Sequence, residues 1–167
     1  MMEKSSFAAG CFWGVEHAFK QVAGVSKTEV GYQGGDSQTT NYQEVCSGGS
    51  GHAEAVLVSF DPSIVSYDRL LDAFFMMHDP TQLNRQGPDV GTQYRSALFP
   101  IGDEQHKVAV SKIAKLKARG LSVATTIEHK EHFISAEDKH QDYLEATPGG
   151  YCHIGFDVFS KLKKGEF

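Results

Sequence analysis

Apolar residues recur at steps of three and four after Cys11. Phe12, Val15, Phe19 and Val22 share one side of a helix, which predicts a helix over residues 11–22 that stops near Gly24. Residues 4–9 read as a short strand ahead of it, and residues 25–32 as another strand after it. The polar, glycine-bearing stretch 33–41 is a loop, and residues 46–51 form a second turn-rich stretch. From 52 to 60 the pattern changes to alternation. Glu54, Val56, Val58 and Phe60 fall on one face of a strand, Ala55 and Leu57 on the other, and Asp61-Pro62 ends it. Ser66 is placed to cap the next helix, whose stripe is Leu70, Leu71, Phe74, Phe75 and His78.

Residues 79–93 carry Pro80, Gly87, Pro88 and Gly91 and read as one long loop, of a length usually kept for function. A strand over 94–99, a helix over 103–119 stopped by Gly120, a strand over 123–127 and a short helix over 136–146 complete the pattern. From Thr147 the chain is glycine-rich and then mixed, which predicts a flexible segment. Strands and helices interleave too unequally for a doubly wound sheet. The expected class is α/β (α+β), a two-layer sandwich with a mixed sheet.

Composition narrows the choice of function. The chain has 167 residues, 40% hydrophobic and 22% charged, with no internal repeat or linker, so one globular domain over 1–167 is expected. A net charge of −5 argues against non-specific binding to nucleic acid or to an anionic membrane. No apolar run is long enough to cross a bilayer, and Met1 to Ser6 lacks the apolar stretch of a secretory signal. The default compartment is the cytoplasm, where three cysteines point to thiol chemistry more than to structural disulfides.

The candidate chemistry centres on Gly10-Cys11-Phe12-Trp13-Gly14, which holds one of the three cysteines and the only tryptophan. Cys11 falls at a helix N-terminus, where free N–H groups and the helix dipole favour a thiolate. Glu54 either sits desolvated at the end of an apolar strip, as a proton donor near neutral pH, or points to solvent. Tyr42 and Tyr94 lie where loops meet strands. Each either aims a hydroxyl at a developing oxyanion or packs as an ordinary half-buried ring. Asp89 and Arg95 read as a surface salt bridge. Cys152 follows two glycines that could carry it to another sulfur, the alternative being an inert thiol. Cys46 reads as buried or incidental. His140 reads as a structural residue on a helix. The histidine spacing offers no metal-ligand set, and no phosphate-binding glycine motif is present.

These segments together resemble the A-type peptide methionine sulfoxide reductases over residues 5–155. The matching blocks are the cysteine pentapeptide, Gly31-Tyr32 with Gly34-Gly35, Asn41-Tyr42 with Val45-Cys46-Ser47-Gly48, and Gly51-His52-Ala53-Glu54. They continue with His78-Asp79-Pro80-Thr81-Gln82, Asn84-Arg85-Gln86-Gly87, Asp89, Gly91-Thr92-Gln93-Tyr94-Arg95-Ser96, Ala136-Glu137, His140-Gln141, Tyr143-Leu144 and Gly150-Tyr151-Cys152. The resemblance implies a two-layer sandwich with a ferredoxin-like core. It implies reduction of methionine S-sulfoxide, free or in proteins, by a cytoplasmic monomer that needs no metal or cofactor. Cys11 matches the nucleophile and Glu54 the acid that protonates the sulfoxide oxygen. Tyr42 and Tyr94 match the hydroxyls that bind this oxygen, Phe12 and Trp13 the pocket for the S-methyl group, and Asp89 a substrate-orienting residue. Cys152 matches the cysteine that resolves a sulfenic acid into a Cys11–Cys152 disulfide, which thioredoxin then reduces.

Three departures stand out. No cysteine follows Cys152, so a single resolving step is expected. Ile134 stands where the family usually has an aromatic residue, and residues 156–167 match nothing and are expected as a loosely packed tail. Two other readings compete: a redox sensor that uses Cys11 and Cys152, and a cysteine hydrolase for which no histidine is placed as base.

Overall fold

The computed structural model describes residues 1–167. A six-stranded sheet forms its centre, in the order β7-β6-β1-β3-β2-β8. β1 (Glu3–Ala9) and β2 (Val25–Gln33) flank β3 (Ala53–Phe60), both antiparallel to it. β6 (Ser96–Phe99) lies antiparallel on the other side of β1 and runs parallel to β7 (Thr126–Ile127), which makes the sheet mixed. The ends of β1 and β2 and the start of β3 therefore meet at one edge. Cys11 follows β1 there, and Glu54, the second residue of β3, lies opposite Tyr32.

The alternation in β3 separates the two faces. Val56, Val58 and Phe60 join a 26-residue core with the helices, while Ala53 and Ala55 lie in a small second cluster with Ala8, Ala97 and Phe99. On the helix side, α1 (Phe12–Lys20) buries Phe12, Val15 and Phe19, and α3 (Tyr67–Met77) buries Leu70, Leu71 and Phe74. Phe7 of β1 packs between them, 4.6 Å from the Phe19 ring and 5.9 Å from that of Phe74. Each such buried ring contributes about 1.5–3 kcal/mol. Ser66 Oγ accepts from Arg69 N at 3.1 Å, which caps α3. α4 (Gly102–Ala118) turns Gln105, Ala109 and Ile113 inward at steps of four.

Several expected elements differ. Residues 33–52 contain α2 (Tyr42–Cys46), a single turn held by Asn41 Oδ1, which accepts from Glu44 N. Within 79–93, β4 (Arg85–Gln86) and β5 (Asp89–Val90) form a small hairpin. The strand expected over 94–99 starts at Ser96, because Thr92–Tyr94 form a 3₁₀ turn, and that over 123–127 shortens to β7.

The helix expected over 136–146 is broken. β8 (Ile134–Ser135) pairs with β2, a 3₁₀ turn spans Asp138–His140, and α5 (Tyr143–Ala146) begins only after Asp142, whose φ is 53°. Long-range hydrogen bonds override local helix preference here. The Gln141 amide accepts from Val30 N and donates to Val30 O at 2.9 and 2.8 Å, while Glu16 accepts from Asp142 N at 2.8 Å. The expected loose tail is instead α6 (Phe156–Lys164), with Leu162 fully buried. Arg69 donates to the Phe167 carbonyl and lies over its ring at 4.1 Å.

Candidate active site

Gly10 makes the turn out of β1 with φ +95°, and a Cβ there would sit 2.9 Å from that of Gln86. Only glycine combines that dihedral with so close a neighbour. The turn leaves Cys11 at the N-cap of α1, 7% exposed. Its environment reverses the expected thiolate. Burial pushes the Cys11 thiol well up, the Glu54 carboxyl pushes it further, and the Trp13 backbone N–H only partly opposes them. A helix N-terminus contributes about 0.3–1 kcal/mol to an anion, too little to offset desolvation of the sulfur.

Glu54 is 1% exposed. Its Oε1 accepts from Phe12 N at 3.1 Å, so the carboxyl is tied to the turn that carries Cys11. Burial raises its pKa to about 8, against that hydrogen bond and with a contribution from Asp89. Glu54 is therefore a carboxylic acid at neutral pH, with Oε2 left to carry the proton.

Tyr42 and Tyr94 approach Glu54 from α2 and from the 3₁₀ turn. Burial first, and the nearby Glu54 carboxyl as well, keep both hydroxyls firmly protonated, so both are donors. The Tyr42 hydroxyl lies beside the Cys46 sulfur. The salt bridge expected between Asp89 and Arg95 does not form. Arg95 makes a two-pronged pair with Glu128, both contacts at 2.9 Å, and Asp89 Oδ2 accepts from Tyr151 OH at 2.8 Å. Planar guanidinium suits that paired geometry better than a single carboxylate contact across the hairpin.

Phe12 and Trp13 separate in role. Phe12 is buried, with Tyr32 and His140 at 5.7 and 5.4 Å between ring centres. Trp13 is half-buried and stacks on Tyr143 at 3.9 Å. Its Nε1 donates to His140 Nδ1 at 3.1 Å, and the His140 ring lies 4.6 Å from that of Tyr42. Glu137 accepts from the Tyr32 hydroxyl at 2.8 Å and from Tyr42 N at 3.3 Å. Glu137 and Tyr143 stand in the matching blocks but received no role from the sequence, and His140 received only a structural one. Apart from those blocks, the signal for them was polar and aromatic residues recurring at short spacing between 137 and 143.

Cys152 Sγ rests against α1 at Gly14, three residues beyond Cys11. Its backbone segment is fastened by His153, whose ring nitrogen bonds to the Ala9 carbonyl at 2.9 Å. All three cysteines are free thiols. No three His, Cys, Asp or Glu side chains converge as metal ligands would, and no helix is long and apolar enough to cross a membrane. The arrangement joins a buried thiol, a neutral carboxylic acid, two phenol donors, an aromatic wall and a second thiol at one sheet edge.

Comparison with known proteins gives the same direction. The sequence model of one family, described as peptide methionine sulfoxide reductase, matches residues 3–166. A protein of Methanothermobacter thermautotrophicus named peptide methionine sulfoxide reductase MsrA is 50% identical over 155 residues, covering 91% of this chain and 92% of that one. The crystal structure of Saccharomyces cerevisiae Mxr1 in reduced form superposes with a TM-score of 0.83 at 39% identity, over 90% of this chain and 88% of the other. Mxr1 in complex with Trx2 superposes with a TM-score of 0.58 at 28% identity, over 85% and 84% of the two chains.

Proposed function

Because the chain belongs to the peptide methionine sulfoxide reductase family, we propose that Cys11 is the nucleophile and Glu54 the proton donor of its reaction. The enzyme reduces methionine S-sulfoxide to methionine, with thioredoxin as reductant. The observation that carries the residue assignment is the buried Glu54, neutral at pH 7 and hydrogen-bonded to the residue after Cys11. A protein that only sensed oxidants through a disulfide would have no use for it.

The substrate S-methyl group packs against Phe12 and Trp13, and its oxygen lies among Tyr42, Tyr94 and Glu54. Phenol donors hold that oxygen as negative charge gathers on it. Glu54 gives its proton to the oxygen and regains one from the Cys11 thiol. The Cys11 sulfur attacks the sulfoxide sulfur and forms a transient S–S bond. The S–O bond breaks, the hydroxide so released attacks the Cys11 sulfur, and the S–S bond breaks with its electron pair staying on methionine. The oxygen ends as hydroxyl on Cys11, a sulfenic acid, and methionine leaves. Two electrons have passed from Cys11 to the sulfoxide. Cys152 then attacks the Cys11 sulfur, its thiol proton passes to the departing hydroxyl, and water leaves as the Cys11–Cys152 disulfide forms. Thioredoxin restores both thiols. Asp89, held by Tyr151, orients the substrate from the hairpin side.

Free and protein-bound methionine sulfoxide both fit this scheme. The site draws every one of its groups from one chain, which supports action as a monomer. A cycle that returns two cysteines to thiols suits the reducing cytoplasm. The test is methionine release from separate S and R epimers, first in a single turnover without reductant and then with thioredoxin. Near-stoichiometric release from the S epimer alone, becoming catalytic with thioredoxin, is expected. A folded, reduced protein that releases methionine from neither epimer overturns the assignment.

A further inference from the structure

The disulfide formed in turnover has two sulfurs of unequal access. Cys11 is 7% exposed, whereas Cys152 is half-buried and forms part of the wall of a groove of about 690 Å³. Leu144, Pro148, Ile154, Phe156 and Phe159 make most of the rest of that wall apolar, and Glu145 adds one carboxylate to it. Cys152 also borders a second groove of about 390 Å³, which is lined by His78, Asp79, Gln82 and Gln86 and is more polar.

Phe156 opens α6 with 89% of its surface exposed. It meets Phe159 edge-on at 6.5 Å, and Phe159 meets His17 edge-on at 4.7 Å. This aromatic row runs from the surface to the first helix beside Cys152. Burial holds His17 below its ordinary pKa, so the inner end of the row is uncharged at neutral pH. An exposed phenylalanine at the head of a helix does nothing for the core. Phenylalanine and the other aromatic residues are enriched at protein contact surfaces, and a row of them that borders a reactive sulfur fits such a surface.

We infer that the Phe156–Phe159 face of α6 is the docking surface for thioredoxin, which approaches Cys152 through the apolar groove. This rests on the proposed reaction, since it names where its reductant binds. The thioredoxin thiolate attacks Cys152 Sγ, and the S–S bond breaks with Cys11 leaving as thiolate, which takes a proton. The second thioredoxin thiol, deprotonated, attacks the mixed disulfide and releases Cys152 as thiolate. Thioredoxin is oxidised by two electrons and this chain regains two thiols. Gly149, Gly150 and Gly155 border the groove and leave its rim without bulky side chains.

The experiment is steady-state kinetics of Phe156→Ser with varied thioredoxin. Substitution of so exposed a ring leaves folding intact. The expected result is a KM for thioredoxin raised by about tenfold or more, the usual scale for loss of an aromatic anchor. The kcat extrapolated to saturating thioredoxin, turnover with dithiothreitol and single-turnover methionine release should all match the unsubstituted enzyme. Val110→Ser, which removes an exposed apolar side chain from α4, should leave KM for thioredoxin unmoved. A KM within twofold for Phe156→Ser, or an equal rise for Val110→Ser, overturns the docking surface. Absence of single-turnover release in the unsubstituted enzyme would instead overturn the reaction itself.

Discussion

Cys152 Sγ rests directly on Gly14: a Cβ built at that glycine would lie 2.7 Å from the sulfur. Gly14 is thus a seat for the second thiol as well as a residue of the helix that begins beside the first. Alanine at an ordinary helical position gains about 1 kcal/mol over glycine. Here Gly14→Ala should displace the Cys152 segment instead. Methionine release in one turnover persists, while the Cys11 sulfenic acid outlives its normal span. Trapping with a sulfenic-acid reagent checks this, and an unchanged rate of disulfide formation would contradict it.

Glu54→Gln removes the proposed proton donor but keeps its size and a carbonyl for Phe12 N. Loss of one general acid costs about 10²–10⁴ in rate. In the unsubstituted enzyme, sulfenic acid formation should fall off above pH about 8, the pKa of Glu54, because only the neutral carboxyl donates. That falling arm should vanish in Glu54→Gln when single-turnover rates are followed across pH.

The same carboxyl predicts a stability effect of opposite sign to its catalytic value. Folded Glu54 holds its proton up to pH about 8, whereas in the unfolded chain it ionises near 4.5. The folded state therefore binds more protons between these values, and stability falls as pH rises through that window. Glu54→Gln should melt above the unsubstituted protein at pH 7 and lose the advantage near pH 4. Thermal unfolding at the two pH values measures it.

In the proposed reaction Tyr42 and Tyr94 share one task. Removing a single oxyanion donor costs about 10²–10³ in rate elsewhere. Tyr42→Phe or Tyr94→Phe alone should fall short of that, because the other hydroxyl remains. The double substitution should reach it, in the single-turnover rate and not in the thioredoxin-dependent step.

His78 governs the acid limit. Buried at the end of α3, it bonds Ser96 Oγ at 2.7 Å and the Phe74 carbonyl at 2.6 Å, and burial lowers its pKa from 6.5 to about 4. The unfolded chain takes up this proton first, so the stability that neutral His78 provides is full above pH about 6.5 and is lost as pH falls through about 4. One proton corresponds to a slope of about 1.4 kcal/mol per pH unit. Denaturant unfolding of His78→Gln should show a shallower acid loss by roughly that slope, from a lower stability at pH 7.

The main strands and helices were legible because their patterns outlast noise: nine residues of α1 and eight of β3 carry several periods each. The five-residue α2 and the two-residue strands β7 and β8 span too little for any period to register. α6 was passed over for a different reason. Its apolar spacing at Phe156, Phe159 and Leu162 was present, but the glycine-rich approach at 149–155 suggested a tail. Among site residues, Cys11 and Glu54 stood out as a cysteine and a carboxylate in apolar company. Part of the push that reverses the Cys11 titration comes from Glu54 and Cys152, which lie 43 and 141 residues away by number. Glu137, His140 and Tyr151 act through partners as distant as 127 residues, and no local pattern announces such pairings.

Trp13 is the chain's single tryptophan. It sits two residues from Cys11, stacked on Tyr143 and bonded through its indole N–H to His140. The protein therefore contains its own optical label. Excited selectively, the indole reports from one place only. Entry of a substrate methyl group, arrival of oxygen on the neighbouring sulfur, and departure of Cys152 from its seat each alter that place differently. The successive states of a catalytic cycle can thus be timed by emission from unmodified enzyme, with no background from elsewhere in the molecule.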